Sequence, residues 1–189
     1  MRIIHDETGF TDAASVVALG MFDGVHIGHQ ALIRAAVRAA RELGAACIVS
    51  TFDRHPMSVL CPERAPEPLL TLEENLRKFE ALGADWALVK PFTRAYGATP
   101  PEVFLREMTA GLRAKAVVAG QDYTFGDAGR GDARMLQALS AELGYRAIIV
   151  PPVMDGEVVC SSTHIRALLA AGERDRADAL LALHPDAAD

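Results

Sequence analysis

The chain has 189 residues, 50% of them hydrophobic and 23% charged, and a formal net charge of −6. Such a composition suits a single folded domain with a substantial core and excludes a disordered chain. The acidic balance argues against non-specific nucleic-acid binding, which needs a basic surface.

The three cysteines, Cys47, Cys61 and Cys160, are odd in number and form no C-x-x-C pair. This argues against a disulfide framework or a zinc site and fits reduced thiols in a cytoplasmic protein. Residues 1–8 carry charges without an apolar centre. No apolar run approaches the ~18 residues of a bilayer span, so neither a signal peptide nor a membrane anchor is expected.

In chain order, Ser15–Leu19 reads as a buried strand, the glycine-punctuated stretch 20–28 as a loop, and 29–43 as an amphipathic helix closed by Gly44. A second strand follows at 46–51. Residues 52–70 are proline-rich and read as irregular. Thr71 and Glu74 form a capping-box pattern for a helix to about 82, before a third strand at Trp86–Lys90. Thr99 and Glu102 repeat the pattern for a helix to about 110. Strands at 115–119 and 146–150 flank a helix at 131–143. Asp155-Gly156 marks a small hairpin over 153–159, and two helices, at 163–171 and 174–183, finish the chain. Continuous apolar strands alternating with helices predict a five-stranded parallel sheet covered on both faces, in one domain spanning 1–189. Ligands of such sheets sit beyond the carboxyl ends of the strands, so the informative residues should follow strands.

Gly20-Met-Phe-Asp-Gly-Val-His-Ile-Gly-His29 does so, directly after the first strand and at the start of a helix. Unpaired N–H groups at a helix N-terminus suit a polyphosphate, Gly28 permits close backbone approach, and His26 and His29 can donate hydrogen bonds to phosphate oxygens as charge builds. A helix late in the chain opens with Ser161-Ser-Thr-His-Ile-Arg166, where the hydroxyls are natural caps and Arg166 can clamp a phosphate bidentately.

His26-Ile-Gly-His29 resembles the HxGH signature of nucleotidyltransferases. The blocks GMFDGVHIGHQALI, TFDRHPMSVL, LLTLEENL, ATPPEVF, VVAGQDYTFG, GRGD and SSTHIR resemble, over nearly the full chain, the FMN adenylyltransferase domain of the bacterial bifunctional riboflavin kinase/FMN adenylyltransferases. The resemblance implies a Rossmann-like fold and the reaction ATP + FMN → FAD + pyrophosphate with Mg²⁺, by direct attack of the flavin phosphate on the ATP α-phosphorus. It implies catalytic roles for His26, His29 and Arg166. It places ATP against Gly20, Met21, Phe22, Asp23, Gly24, His26, Gly28, His29, Ser161, Ser162, Thr163 and Arg166. Phe52, His55, Pro56, Asp122, Tyr123 and Phe125 are implied around the flavin, where aromatic walls suit an isoalloxazine. Ordinary core packing is the competing reading of Phe125.

The sequence departs from the family pattern at Arg54, Thr124, Val159 and 127–129, where proline or basic residues are usual; His164 stands where arginine is frequent. Bifunctional members continue into a kinase domain after a segment like 180–185, so riboflavin phosphorylation is not expected of these 189 residues. Two alternatives stay open: an HxGH transferase with another phosphomonoester acceptor or nucleotide donor, and a non-catalytic nucleotide- or flavin-binding module. The expected partners are small molecules, with neither nucleic acid nor membrane among them.

Overall fold

The computed structural model describes residues 1–184; residues 185–189 of the expected 1–189 domain lie outside the described residues. The strands of the main sheet are β1 (Arg2–Ile4), β2 (Ser15–Leu19), β3 (Ala46–Phe52), β4 (Trp86–Lys90), β5 (Ala114–Gly120) and β6 (Arg146–Val150). They pair in parallel in the order β1-β4-β3-β2-β5-β6.

The sheet thus has six strands, not the five expected. The additional strand is β1, three residues at the edge against β4, of which only Ile4 is buried. So short a segment, exposed at Arg2 and Ile3 and followed by His5, carries no periodicity to read; pairing with β4 makes it a strand.

The apolar strands are continuous because both faces are covered. Along β2, Val16 and Ala18 face one core and Val17 and Leu19 the other; β5 repeats this with Ala116 and Val118 against Val117 and Ala119. Helices α1 (Ile27–Leu43) and, after α2 (Met57–Leu60), α3 (Leu72–Ala81) supply the first layer through Leu32, Ile33, Ala36 and Phe79. After the short α4 (Arg94–Gly97), α5 (Pro101–Gly111) and α6 (Ala133–Leu143) supply the second through Leu105, Met108 and Leu136.

Beyond the sheet, the hairpin β7 (Met154–Asp155) and β8 (Val158–Val159) leads into α7 (Ser162–Ala170) and α8 (Arg174–Leu181). These two helices form a satellite cluster around Ile165, Leu168, Ala177 and Leu180. Among the described residues no helix is long and apolar enough to cross a membrane.

The capping box at Thr71 and Glu74 forms as expected, but the one at Thr99 and Glu102 does not. Pro100 is the N-cap of α5 and Pro101 its first residue, and no side chain caps the turn. The Thr99 carbonyl instead accepts the Asp127 N–H at 2.8 Å, tying α5 to the loop after β5. The stretch 52–70 is not wholly irregular, since it holds α2 and a 3-10 turn at Pro62–Arg64.

Candidate active site

β2 and β5 lie side by side at the centre of the sheet. Chain order reverses between them, with β3 and β4 on one side and β6 on the other. At such a switch point the loops leaving the two strands diverge and open a crevice at their carboxyl ends. The chain segments entering that crevice are 20–26 after β2 and 120–131 after β5.

The first segment turns sharply. Phe22, Gly24 and Val25 have φ of 54°, 83° and 46°. Positive φ is uncommon for a phenylalanine and a true outlier for a β-branched valine, and such conformations persist only where the surroundings over-determine them. The turn delivers His26 as the N-cap of α1, its Nδ1 accepting the His29 N–H at 3.3 Å. A neutral imidazole that accepts at Nδ1 carries its proton on Nε2, where it is a donor. The His29 ring stacks on it, with centroids 3.7 Å apart at 20°, and meets the buried Phe22 ring edge-on. Gly28 leaves room for this stack, because a Cβ there would stand 3.2 Å from the His26 ring. Among the described residues, the buried Nδ1 of His29 has no hydrogen-bond partner.

Burial holds both imidazoles neutral at pH 7. His26 is pushed down to about 4 by loss of hydration, reinforced by the Lys78 ammonium. His29 is pushed well below its ordinary value by burial and then by His26. The unfolded chain therefore binds more protons than the folded one between pH 6.5 and about 4. Stability from this source is complete above pH 6.5 and falls as pH drops through that window, by on the order of 3 kcal/mol for His26. Denaturant midpoints at pH 7.5 and 4.5 should show this fall in the wild type and a smaller one in His26→Asn; an equal fall in both proteins would refute the assignment.

Ser161 caps α7 by accepting the His164 N–H at 3.1 Å, and the Ser162 hydroxyl donates to the Asp23 carbonyl at 2.9 Å. These contacts bring the late motif against the first. Ser161, Ser162, His26, Gly28 and His29 share a pocket of about 160 Å³, completed by Asp122, by Val150–Val153 at the end of β6 and by Val159 of the hairpin. Thr163 is exposed on the first turn of α7. Arg166 lies outside this pocket. Its guanidinium pairs with the buried Asp23 carboxylate and donates to the Glu67 carbonyl from Nε at 3.0 Å and Nη2 at 2.8 Å. The other oxygen of Asp23 accepts the Leu69 N–H at 2.9 Å.

A second pocket, of about 460 Å³, opens on the other side of His29. Gly20, Met21, Phe22, Phe52, Pro56, Asp122, Tyr123 and Phe125 line it, so the Gly20–Gly24 segment is divided rather than kept on one side. Asp23 instead borders a small third pocket with His55, and Gly24 packs under Leu69 and Leu181. His55 lies close enough to Arg166 and Asp23 to feel both charges, though burial is the larger cause of its lowered pKa.

The aromatic wall is larger than the sequence suggested. Phe92, Tyr96 and Phe104 join it through edge-to-face contacts with centroids 5.1–6.4 Å apart. Phe92 and Tyr96 sit just after β4, the position where ligand residues are expected, so their placement was a readable signal. Phe125 is both core and wall: it is 6% exposed and stacked on Tyr123 at 5.9 Å. Gly131, in the GRGD block, makes room for it, since a Cβ there would stand 2.5 Å from the Phe125 ring.

His29, Leu32, Gly120 and Asp122 line both main pockets, so a small polar-edged cleft and a broad aromatic one meet at the stacked imidazoles. The FAD synthetase family model matches residues 10–164. The chain belongs to the FAD synthetase family. It is 38% identical over 181 residues to a putative bifunctional riboflavin kinase/FMN adenylyltransferase of Geobacillus thermodenitrificans, covering 96% of this chain and 97% of that one. It is likewise 38% identical to the bifunctional riboflavin kinase/FMN adenylyltransferase of Listeria monocytogenes over 91% of this chain, but spans only 55% of that protein's length. A crystal structure titled macrolide-efflux protein from Streptococcus pneumoniae superimposes with a TM-score of 0.82 at 33% identity, over 95% of this chain and 60% of that one. This FAD synthetase family member therefore carries the family's sequence and a neighbour's fold, with the crevice described above at the switch point.

Proposed function

We propose that the chain is an FMN adenylyltransferase, joining the AMP moiety of ATP to FMN with release of pyrophosphate. The observation that carries this is the meeting of the two main pockets at His29. The smaller cleft, at the N-termini of α1 and α7, suits a nucleotide whose phosphates take backbone N–H groups and the Ser161 and Ser162 hydroxyls. The aromatic cleft suits a flat isoalloxazine. An acceptor phosphate at the junction lies in line with the α-phosphorus: one of its oxygens forms the new bond as the bond to pyrophosphate breaks. The chain's contribution is positioning and neutralisation, with neutral imidazole N–H groups meeting charge as it moves onto the departing pyrophosphate.

Arg166 serves this reading as the cation for the outer phosphates once it leaves Asp23. A nucleotide thereby competes with an internal carboxylate for the same guanidinium. Among the described residues no cluster of three acidic, cysteine or histidine side chains is arranged to hold a metal. A Mg²⁺ brought in with the nucleotide would be held mostly by phosphate oxygens and water, which needs no such cluster. Asp122, exposed and lining both clefts, would offer it one protein oxygen, and the ion would add charge neutralisation.

Incubating the purified chain with ATP, FMN and Mg²⁺ should yield FAD and pyrophosphate in equal amounts. Turnover only with another acceptor, or only with CTP, would replace this reading by the wider transferase one. Binding of both ligands without turnover would leave a binding module. Within the aromatic cleft, Tyr96→Ala should raise the KM for FMN about tenfold, from lost ring contact and area, while the KM for ATP stays unchanged. An equal rise in both constants would contradict the assignment of the two clefts.

A further inference from the structure

Lys78 and Gln30, two side chains outside all three pockets, help hold the bend that precedes the histidine pair. Gly24 is gripped by α3 on both its polar groups. Its N–H donates to Asn75 Oδ1 at 3.1 Å, and its carbonyl accepts from Lys78 Nζ at 3.0 Å. Asn75 and Lys78 are three residues apart and so share one helix face. Lys78 Nζ also donates to the carbonyl of Leu181, the last residue of α8, at 2.6 Å. Such a carbonyl has no partner within its own helix and lies at the negative end of the helix dipole, so an ammonium belongs there.

Gln30 repeats the arrangement one residue along. It is 0% exposed. Its Nε2 donates to the Val25 carbonyl at 3.0 Å and the Ala182 carbonyl at 2.7 Å, and its Oε1 accepts the His184 N–H at 3.1 Å. Two successive carbonyls of the bend, Gly24 and Val25, are thus each joined by one side chain to two successive carbonyls at the end of α8. The bend so held is the one with φ of 83° and 46° immediately before His26, and nothing local to its sequence favours that conformation at Val25.

We infer that Lys78 and Gln30 are positioning residues that fasten the bend before His26 to the C-terminal end of α8, making α8 part of the apparatus that aims the imidazoles. The turnover arm of the test rests on the adenylyltransferase reading; the exchange arm does not. In the full chain, Lys78→Met keeps the side chain's apolar stem and removes the ammonium from a half-buried site. Amide hydrogen exchange over residues 22–27 should accelerate about tenfold relative to the sheet, reporting local opening. The kcat should fall about tenfold, as expected for misplaced reacting groups, with the KM for FMN unchanged. Lys78→Arg should recover most of both, and Gln30→Met should reproduce the loss.

Unchanged exchange over 22–27, or faster exchange with unchanged kcat, overturns the inference. A uniform rise across the chain with a lowered Tm also overturns it, since Lys78 would then be an ordinary structural tie. If the wild type makes no FAD, the functional reading fails, while exchange over 22–27 still decides the clasp.

Discussion

Replacing His26 by asparagine and His29 by alanine together is expected to lower kcat at least ~10³-fold, with the fold retained. The magnitude follows from removing donors aimed at developing charge, each worth ~10²–10³ in mutational series. The two losses should not simply multiply, because stacked rings 3.7 Å apart act as a unit. Asparagine is chosen at 26 because that position is the N-cap of α1, where the imidazole Nδ1 accepts the His29 N–H. An Asn side chain makes the same cap, so lost activity is not confounded with a frayed helix. Alanine at 29 removes a partly buried ring whose buried Nδ1 has no partner among the described residues, so no donor is orphaned by its loss. Circular dichroism and gel filtration check the fold, and pyrophosphate release the activity. Turnover within about tenfold of wild type would remove the histidines from the chemistry.

The second large effect is at Arg166. Arg166→Met should lower kcat about 10²-fold if the guanidinium meets the outer phosphates in the transition state. It should also destabilise the protein, because the Asp23 side chain is only 8% exposed and loses its charged partner. Removing one member of a buried pair costs ~3–5 kcal/mol. The Arg166 side chain is 25% exposed here, so about 2 kcal/mol is the better expectation after solvent screening. The double variant Asp23→Asn/Arg166→Met separates the two roles. It removes the uncompensated carboxylate, and Asn can still accept the Leu69 N–H that Asp23 holds at 2.9 Å. Stability should return while turnover stays low. If turnover returns with stability, Arg166 is a structural partner of Asp23 and nothing more.

Much of the architecture was legible locally. Val16–Leu19 and 116–119 are apolar at every position because both faces of a central parallel strand are buried, and this leaves a continuous run in the sequence. Thr71 with Glu74, and Gly44 after α1, act through hydrogen bonds and backbone preferences that span only a few residues. The Thr99–Glu102 pattern failed because Pro100 and Pro101 set the first turn, and the Thr99 carbonyl found a partner across the crevice. β1 was missed because edge pairing, not periodicity, makes it a strand.

For the site, the residues alone determined that an HxGH turn would sit between a buried strand and a helix, with a hydroxyl-capped helix carrying an arginine late in the chain. Those are short-range facts, written in neighbouring side chains. Only the tertiary structure decided that Gly20–Phe22 face the aromatic cleft while Gly24 lies buried beneath Leu69 and Leu181. The same holds for the pairing of Arg166 with Asp23, for Phe92, Tyr96 and Phe104 completing the wall, and for Lys78 and Gln30 gripping the bend from behind. Each joins groups far apart along the chain, and what brings them together is packing of helices on both faces of one sheet, a constraint that no single segment's composition or periodicity records.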